Sequence, residues 1–194
     1  MAKNYWMVVM TPEDFAITKE RGFDLHGMRS RHRRRAQRME PDDMVLIYVN
    51  GIRKWTAITH ITSRYFESDE PIWQSLGRSD AFPFRVKTAP SIVLEEDDYI
   101  DARIIGPRLE YVKRWVPERW PLAFMDTLHL LPQRDFRLIE GEMRKIVTGR
   151  PGRRRRSRGG RGRDRQRSQW ASGRDNGRSG RRERDAAPES ESTD

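Results

Sequence analysis

The final 45 residues decide where this chain can fold. Arg150 to Asp194 hold 15 arginines, no lysine and seven acidic residues, with Trp170 as the only aromatic. A segment with so little apolar surface cannot offset its chain entropy and is expected to stay disordered. A core must therefore come from what precedes it. Residues 1–148 are enough for one domain, and residues 149–194 read as a basic Arg/Gly-rich tail. Met1 to Gly149 carry 24 basic and 22 acidic residues, so most of the chain's formal charge of +10 lies in the tail.

The 194 residues include no cysteine, which excludes disulfides, thiolate metal sites and a cysteine nucleophile. The apolar run Tyr5-Trp6-Met7-Val8-Val9 is too short for a signal-peptide core with its flanks, and far too short to span a bilayer. The chain is expected to be soluble and cytoplasmic.

Tyr5–Val9 reads as a buried strand. Thr11 suits a helix N-cap, Pro12 the first helical position, and Glu13 and Asp14 the positive end of the dipole. A short helix is predicted to about Glu20, stopping near Gly22. Ser30 is placed to cap a second helix through about Met39, ended by Pro41. Met44–Val49 is a second buried strand. Asn50-Gly51 marks a tight hairpin turn into a return strand over Trp55–Thr62. Further on, Pro71–Leu76 reads as a helical turn, Phe82–Lys87 as a half-buried strand and Ile92–Leu94 as strand-like. Leu109–Trp115 reads as a helix and Leu128–Leu131 as a last strand. Apolar residues at Phe136, Ile139, Met143, Ile146 and Val147 have helical spacing. Strands outnumber helices and include a hairpin, so the expected class is α+β: a curved, mostly antiparallel sheet or pseudo-barrel with flanking helices.

Chemistry is concentrated in Arg29-Ser30-Arg31-His32-Arg33-Arg34-Arg35-Ala36-Gln37-Arg38, six arginines in ten residues. Cations at a helix start oppose its dipole, so helix stability does not account for them. A bound anion reverses that penalty, with free N–H groups, the Ser30 hydroxyl and guanidiniums converging on a phosphate. The plainer alternative is a solvated basic face paired with Glu40, Asp42 and Asp43. Aromatics are the second signal. Five tryptophans precede the tail, and a flipped base needs flat walls with a few polar groups for its edge. Most aromatics belong to the core, and Trp55 and Trp6 are the tryptophans favoured as walls. In the tail, Arg153, Arg154, Arg155 and Arg156, with Arg158, Arg161 and Arg163 between glycines, fit unspecific contact with nucleic acid.

No phosphate-cradling glycine loop and no G-x-S-x-G elbow occur. His26, His32, His60 and His129 lack metal-ligand spacing. Glu95-Glu96-Asp97-Asp98 is more simply a solvated acidic loop than a metal site. No cofactor, metal or membrane partner is expected.

Several blocks resemble an EVE domain. They are Tyr5–Val9 with Pro12-Glu13, Gly27-Met28-Arg29-Ser30-Arg31-His32-Arg33-Arg34-Arg35-Ala36 leading to Met39-Pro41-Asp42-Asp43, Ile58–Phe66, Pro71-Ile72-Trp73, Pro83–Lys87 and Trp120–Phe124. The resemblance covers about Asn4 to Met143. EVE domains share the PUA-like superfold with YTH and ASCH domains. The resemblance therefore implies a small curved sheet or pseudo-barrel with a concave pocket for a modified nucleobase, as YTH domains hold a methylated base in an aromatic cage. Gly27 and Arg29 carry over. Leu25 and Ser30 stand where the animal branch has tryptophan and asparagine, which places the chain closer to a bacterial branch. The tail lies outside the resemblance.

Together these readings predict a non-enzymatic reader of a modified base in DNA or RNA. Arg29, Ser30, Arg31 and His32 hold phosphate or base edge, and Trp6, Trp55, Tyr48 and His26 form the pocket. One alternative is an unspecific RNA- or ribosome-associated protein bound through its tail. Another is an amidohydrolase on modified nucleosides, using Lys54, Glu95 and His60.

Overall fold

The first apolar run becomes an inner strand, β1 (Tyr5–Met10), with every residue buried. A strand covered on both faces needs apolar residues without alternation, which is the pattern there. A computed structural model gives the fold and describes residues 3–73 and 82–149. Thr11 caps α1 (Pro12–Glu20) by accepting from the Asp14 amide at 3.2 Å. The chain then reverses through Gly22 and Phe23, both at positive φ (71° and 60°).

β2 (Leu25–Met28) follows, then a 3-10 turn over Ser30–His32 and a single helical turn, α2 (Arg33–Ala36). β3 (Met44–Val49) runs parallel to β1, and β4 (Lys54–Ile61) returns antiparallel to β3. After β5 (Phe66–Glu67) comes the ten-residue β6 (Phe84–Val93). Its first part pairs β2 and β5, and its second part pairs β4. Then come β7 (Ile100–Asp101), α3 (Ala102–Ile105), two 3-10 turns at Gly106–Arg108 and Tyr111–Arg114, and a longer 3-10 segment at Pro117–Phe124. β8 (Leu128–Leu130) and α4 (Gln133–Thr148) complete the described chain. The strand order is β2-β6-β4-β3-β1-β8, with β5 on β6 and β7 on β4. Register shifts at Ile47/Tyr48 and Ile58/Thr59 bend the strands. The mixed sheet curls into a half-barrel flanked by helices, as the predicted class requires.

Asp43 fastens the starts of β1 and β3. Its carboxylate accepts from the Asn4 amide (2.8 Å), Asn4 Nδ2 (3.1 Å), Trp6 Nε1 (2.9 Å) and the Glu40 amide (3.3 Å). α4 lays Phe136, Ile139 and Met143 into the core, with Phe136 4.8 Å from the Tyr5 ring.

Several expectations need correction. Ser30 caps no helix: it opens a 3-10 turn without a side-chain cap, and the helix behind it lasts one turn. The β3–β4 connection is a four-residue loop over residues 50–53, and the positive φ falls on Arg53 (54°). Gly51 instead faces the Pro12 ring, where a Cβ would stand 2.6 Å from Pro12 Cγ. Leu109–Trp115 forms no α-helix; a 3-10 turn lies between the Pro107 and Pro117 segments. Pro71–Trp73 is irregular, and the rest of that predicted turn lies outside the described residues, as does the tail after Gly149.

Candidate nucleic-acid interface

Gly27 lies in the middle of β2, a place where strands normally carry a side chain. A Cβ there would stand 2.7 Å from Phe82 Cβ and closer still to the Trp73 ring. An isolated glycine in a strand marks such a close approach. Trp73 and Phe82 come down onto it edge to face, centroids 5.6 Å apart. With the Val8–Met10 end of β1, Asp14 of α1 and Thr127, they line a narrow cleft. Its free volume is about 20 Å³, room for one water.

The walls are held from behind. Trp73 Nε1 donates to Thr18 Oγ1 at 3.0 Å, and that hydroxyl donates to Asp14 O at 2.9 Å. Arg85, only 2% exposed, has its guanidinium 5.7 Å from the Trp73 ring centre. It donates to Phe82 O (3.1 Å), Ser68 Oγ (3.0 Å) and Glu70 O. Burial lowers its pKa, against the pull of Glu70, yet an arginine stays charged. Arg85 thus ties both ends of the segment carrying the walls to β6. On the rim, the half-buried Arg29 guanidinium lies 5.6 Å from the Phe82 ring centre.

Arg31, Arg33, Arg34 and Arg35 surround a shallow depression beside the cleft, with Asp126 as its carboxylate. Arg31 Nη2 donates to Asp126 Oδ1 (2.8 Å), and Arg35 Nη1 donates to Asp126 Oδ2 (3.1 Å) and Leu128 O (2.6 Å). Burial tends to raise the Asp126 pKa, but the Thr127 amide, His32 and Arg31 outweigh it and hold the carboxyl below its usual range. His32 is buried beneath, with Nε2 3.0 Å from Thr127 Oγ1. Desolvation pushes its pKa down, against the pull of Asp126, whose Oδ1 lies 3.0 Å from the same Nε2; Arg31 Nε stands 3.3 Å from it. Arg33 reaches Glu67 only at 4.0 Å. Asp126 thus pairs Arg31 and Arg35, Arg33 meets only the Glu67 carboxylate among the described residues, and the face retains a positive surplus.

Of the residues singled out in the sequence, Arg31 and His32 line this depression, Arg29 stands over Phe82, and Ser30 is exposed between them in the chain. The structure removes four other candidates. Trp6 is 1% exposed with its N–H on Asp43; Trp55 is fully buried with its N–H 3.5 Å from Met7 Sδ. Tyr48 is packed between Trp55 and Phe124, with centroids at 5.9 and 5.2 Å. His26 is fully buried, Nε2 3.1 Å from Thr59 Oγ1. All four stand on strands of the curled sheet with their side chains buried, and none lines the cleft. Glu40, Asp42 and Asp43 do not pair the arginine block; Asp126 does. Arg153, Arg154, Arg155, Arg156, Arg158, Arg161 and Arg163 lie outside the described residues. Lys54 and His60 sit six residues apart on β4, about 20 Å along an extended strand, so the amidohydrolase set does not converge. Among the described residues no group of acids and histidines is placed to hold a metal, and no helix is long and apolar enough to cross a membrane.

No model of a known protein family matches the chain, and no curated protein matches it. Solved structures do. The YTH domain-containing protein Mmi1 in complex with RNA aligns at 9% identity and TM-score 0.56, over 76% of this chain and 85% of that one. A second Mmi1 YTH domain complex with RNA aligns at 11% and 0.54, over 79% and 85%. A hypothetical protein from Leishmania major aligns at 10% and 0.52, over 75% and 98%. The fold is similar to that of YTH domains. At these identities the likeness is one of fold, and the YTH-like half-barrel is what carries both cleft and arginine face here.

Proposed function

We propose that this protein binds nucleic acid without catalysing a reaction. It takes one base, a modified one, into the Trp73–Phe82 cleft while the arginine face holds the flanking phosphates. The observation that carries this reading is the junction at Thr127: an aromatic-walled cleft beside a depression lined by four arginines, of which Asp126 pairs only Arg31 and Arg35. Aromatic walls recognise a base by its faces, and guanidiniums recognise phosphate by charge and paired donors. The cleft is narrower than a base, so Trp73 and Phe82 part as the base enters. The Mmi1 YTH structures with RNA favour RNA over DNA. The EVE resemblance, bacterial branch included, fits the same reading, with residues 1–148 as the domain and 149–194 as a basic tail that adds unspecific affinity.

Arg29 is the test residue, because it sits on the cleft rim over Phe82. Arg29→Ala is expected to weaken binding of a modified single strand by roughly 1–3 kcal/mol and to relax the preference for the modification. Deleting the tail is expected to lower affinity evenly and flatten its salt dependence. A folded Arg29→Ala protein with unchanged affinity and preference, measured by fluorescence anisotropy, would overturn the site.

A further inference from the structure

β8 is an edge strand of the sheet, and residues 126–132 around it line three depressions in turn. Thr127 closes the cleft and Asp126 centres the arginine face. Leu130, Leu131 and Pro132 form one wall of a groove of about 630 Å³. From Thr127 to Pro132 is about 16 Å of extended chain. The groove's other wall is the 3-10 turn Tyr111–Arg114 and Trp115. Two features of that wall are not explained by packing. Trp115 is 43% exposed, an unusual place for an indole. Glu110 is shared by Lys113 (3.2 Å) and Arg134 (3.6 Å), and among the described residues Arg114 has no ion-pair partner. The groove is therefore aromatic and net basic. It lies along the same strand as the arginine face: Arg35 Nη1 donates to Leu128 O at 2.6 Å, and Tyr111 Oη lies 2.8 Å from His129 Nδ1.

We infer that a single-stranded nucleic acid seated at the cleft continues along β8 into this groove, where Trp115 stacks a flanking base and Lys113 and Arg114 hold its phosphates. The inference rests on the reading of the cleft given above and extends its footprint to several nucleotides. Stacking on an exposed ring tolerates any base, so the groove adds affinity and direction without sequence preference.

The full chain separates the two claims when titrated with single strands of about 4 and about 10 nucleotides, as DNA and as RNA. Trp115→Ala is expected to weaken the longer strand about tenfold and leave the shorter one unchanged. Arg114→Glu, at an exposed position, is expected to weaken the longer strand and lower its salt slope by about one or two. With 5-iodouracil at its flank, the longer strand should cross-link to Trp115 on irradiation. Unchanged affinity of the longer strand in both variants, with no cross-link at Trp115, overturns the groove. Failure of the cleft looks different: Trp73→Ala then leaves the shorter strand unaffected while Trp115→Ala still weakens the longer. Absence of binding by the full chain to either strand overturns both.

Discussion

Replacing Asp43 with alanine should cost about 3–4 kcal/mol of folding free energy. The carboxylate is buried at the junction of β1 and β3, where it accepts from two backbone amides, Asn4 Nδ2 and Trp6 Nε1. Hydrogen bonds to an ionised acceptor are each worth about 1.5–3 kcal/mol, and a buried donor left without one costs about 1–3 kcal/mol. The Asn4 and Glu40 amides can find water at the edge of the fold. The Trp6 indole N–H, 1% exposed, cannot. Urea unfolding followed by tryptophan fluorescence should show a lower midpoint at unchanged slope. A loss below about 1 kcal/mol would mean that the joint between the parallel strands does not depend on Asp43.

Mild acid should destabilise the fold through His26. Its ring is fully buried, and desolvation lowers its pKa to about 4 in the folded state from 6.5, despite the nearby charge of Asp24. Above pH 6.5 the ring is neutral folded or unfolded, and its linkage term vanishes. Between pH 6.5 and 4 the unfolded chain binds the proton and the folded one does not. Stability therefore falls as pH falls, by up to about 3 kcal/mol in full. His32 and His129, both lowered chiefly by burial, act in the same direction. Melting at pH 4.5 should lie on the order of 10 °C below that at pH 7. His26→Gln, which keeps an amide near Thr59, should remove much of that difference. Equal melting temperatures at the two pH values in the unmodified chain would show that His26 is protonated inside the fold.

The strands that make the frame were legible because their patterns are local. Tyr5–Val9 and Met44–Val49 are continuous apolar runs, and they became the parallel inner pair. Thr11-Pro12 announced α1, and the spacing from Phe136 to Met143 announced α4. β2, β5, β7 and α3 were not legible. Each spans two to four residues, too few for a period, and each exists only because a longer strand offers it a partner. The 3-10 turn at Ser30 escaped for a related reason: a cap residue and a basic run give no length.

Half of the site could be read. Six arginines in ten residues are visible in any sequence; Arg31 is exposed, and Arg29 is half-buried over Phe82. A tryptophan on a strand looks the same in the sequence whether its ring points to the core or to a ligand. Trp6 and Trp55 stand on inner strands, so the core claimed them. Trp73 belongs to no periodic segment, which is a reason to look for it in a pocket. Gly27 in the short strand was the sharper signal, since only close approach of another group explains a glycine there. Asp126 and Arg85 act on residues 91 or more and up to 17 positions away, and spacing along the chain does not disclose such pairs.

The most direct test of base recognition is a fluorescence titration of the chain ended at Gly149, with and without Trp73→Ala. The ligands are short DNA and RNA strands that differ only in one base: unmodified, methylated or hydroxymethylated. Recognition in the cleft predicts that one modified strand binds at least about tenfold more tightly than its unmodified counterpart, and that Trp73→Ala removes the difference, as loss of one stacking wall should. Weak, equal binding to every strand, unaffected by Trp73→Ala and restored only by returning the tail, would contradict it and make the tail the binding element.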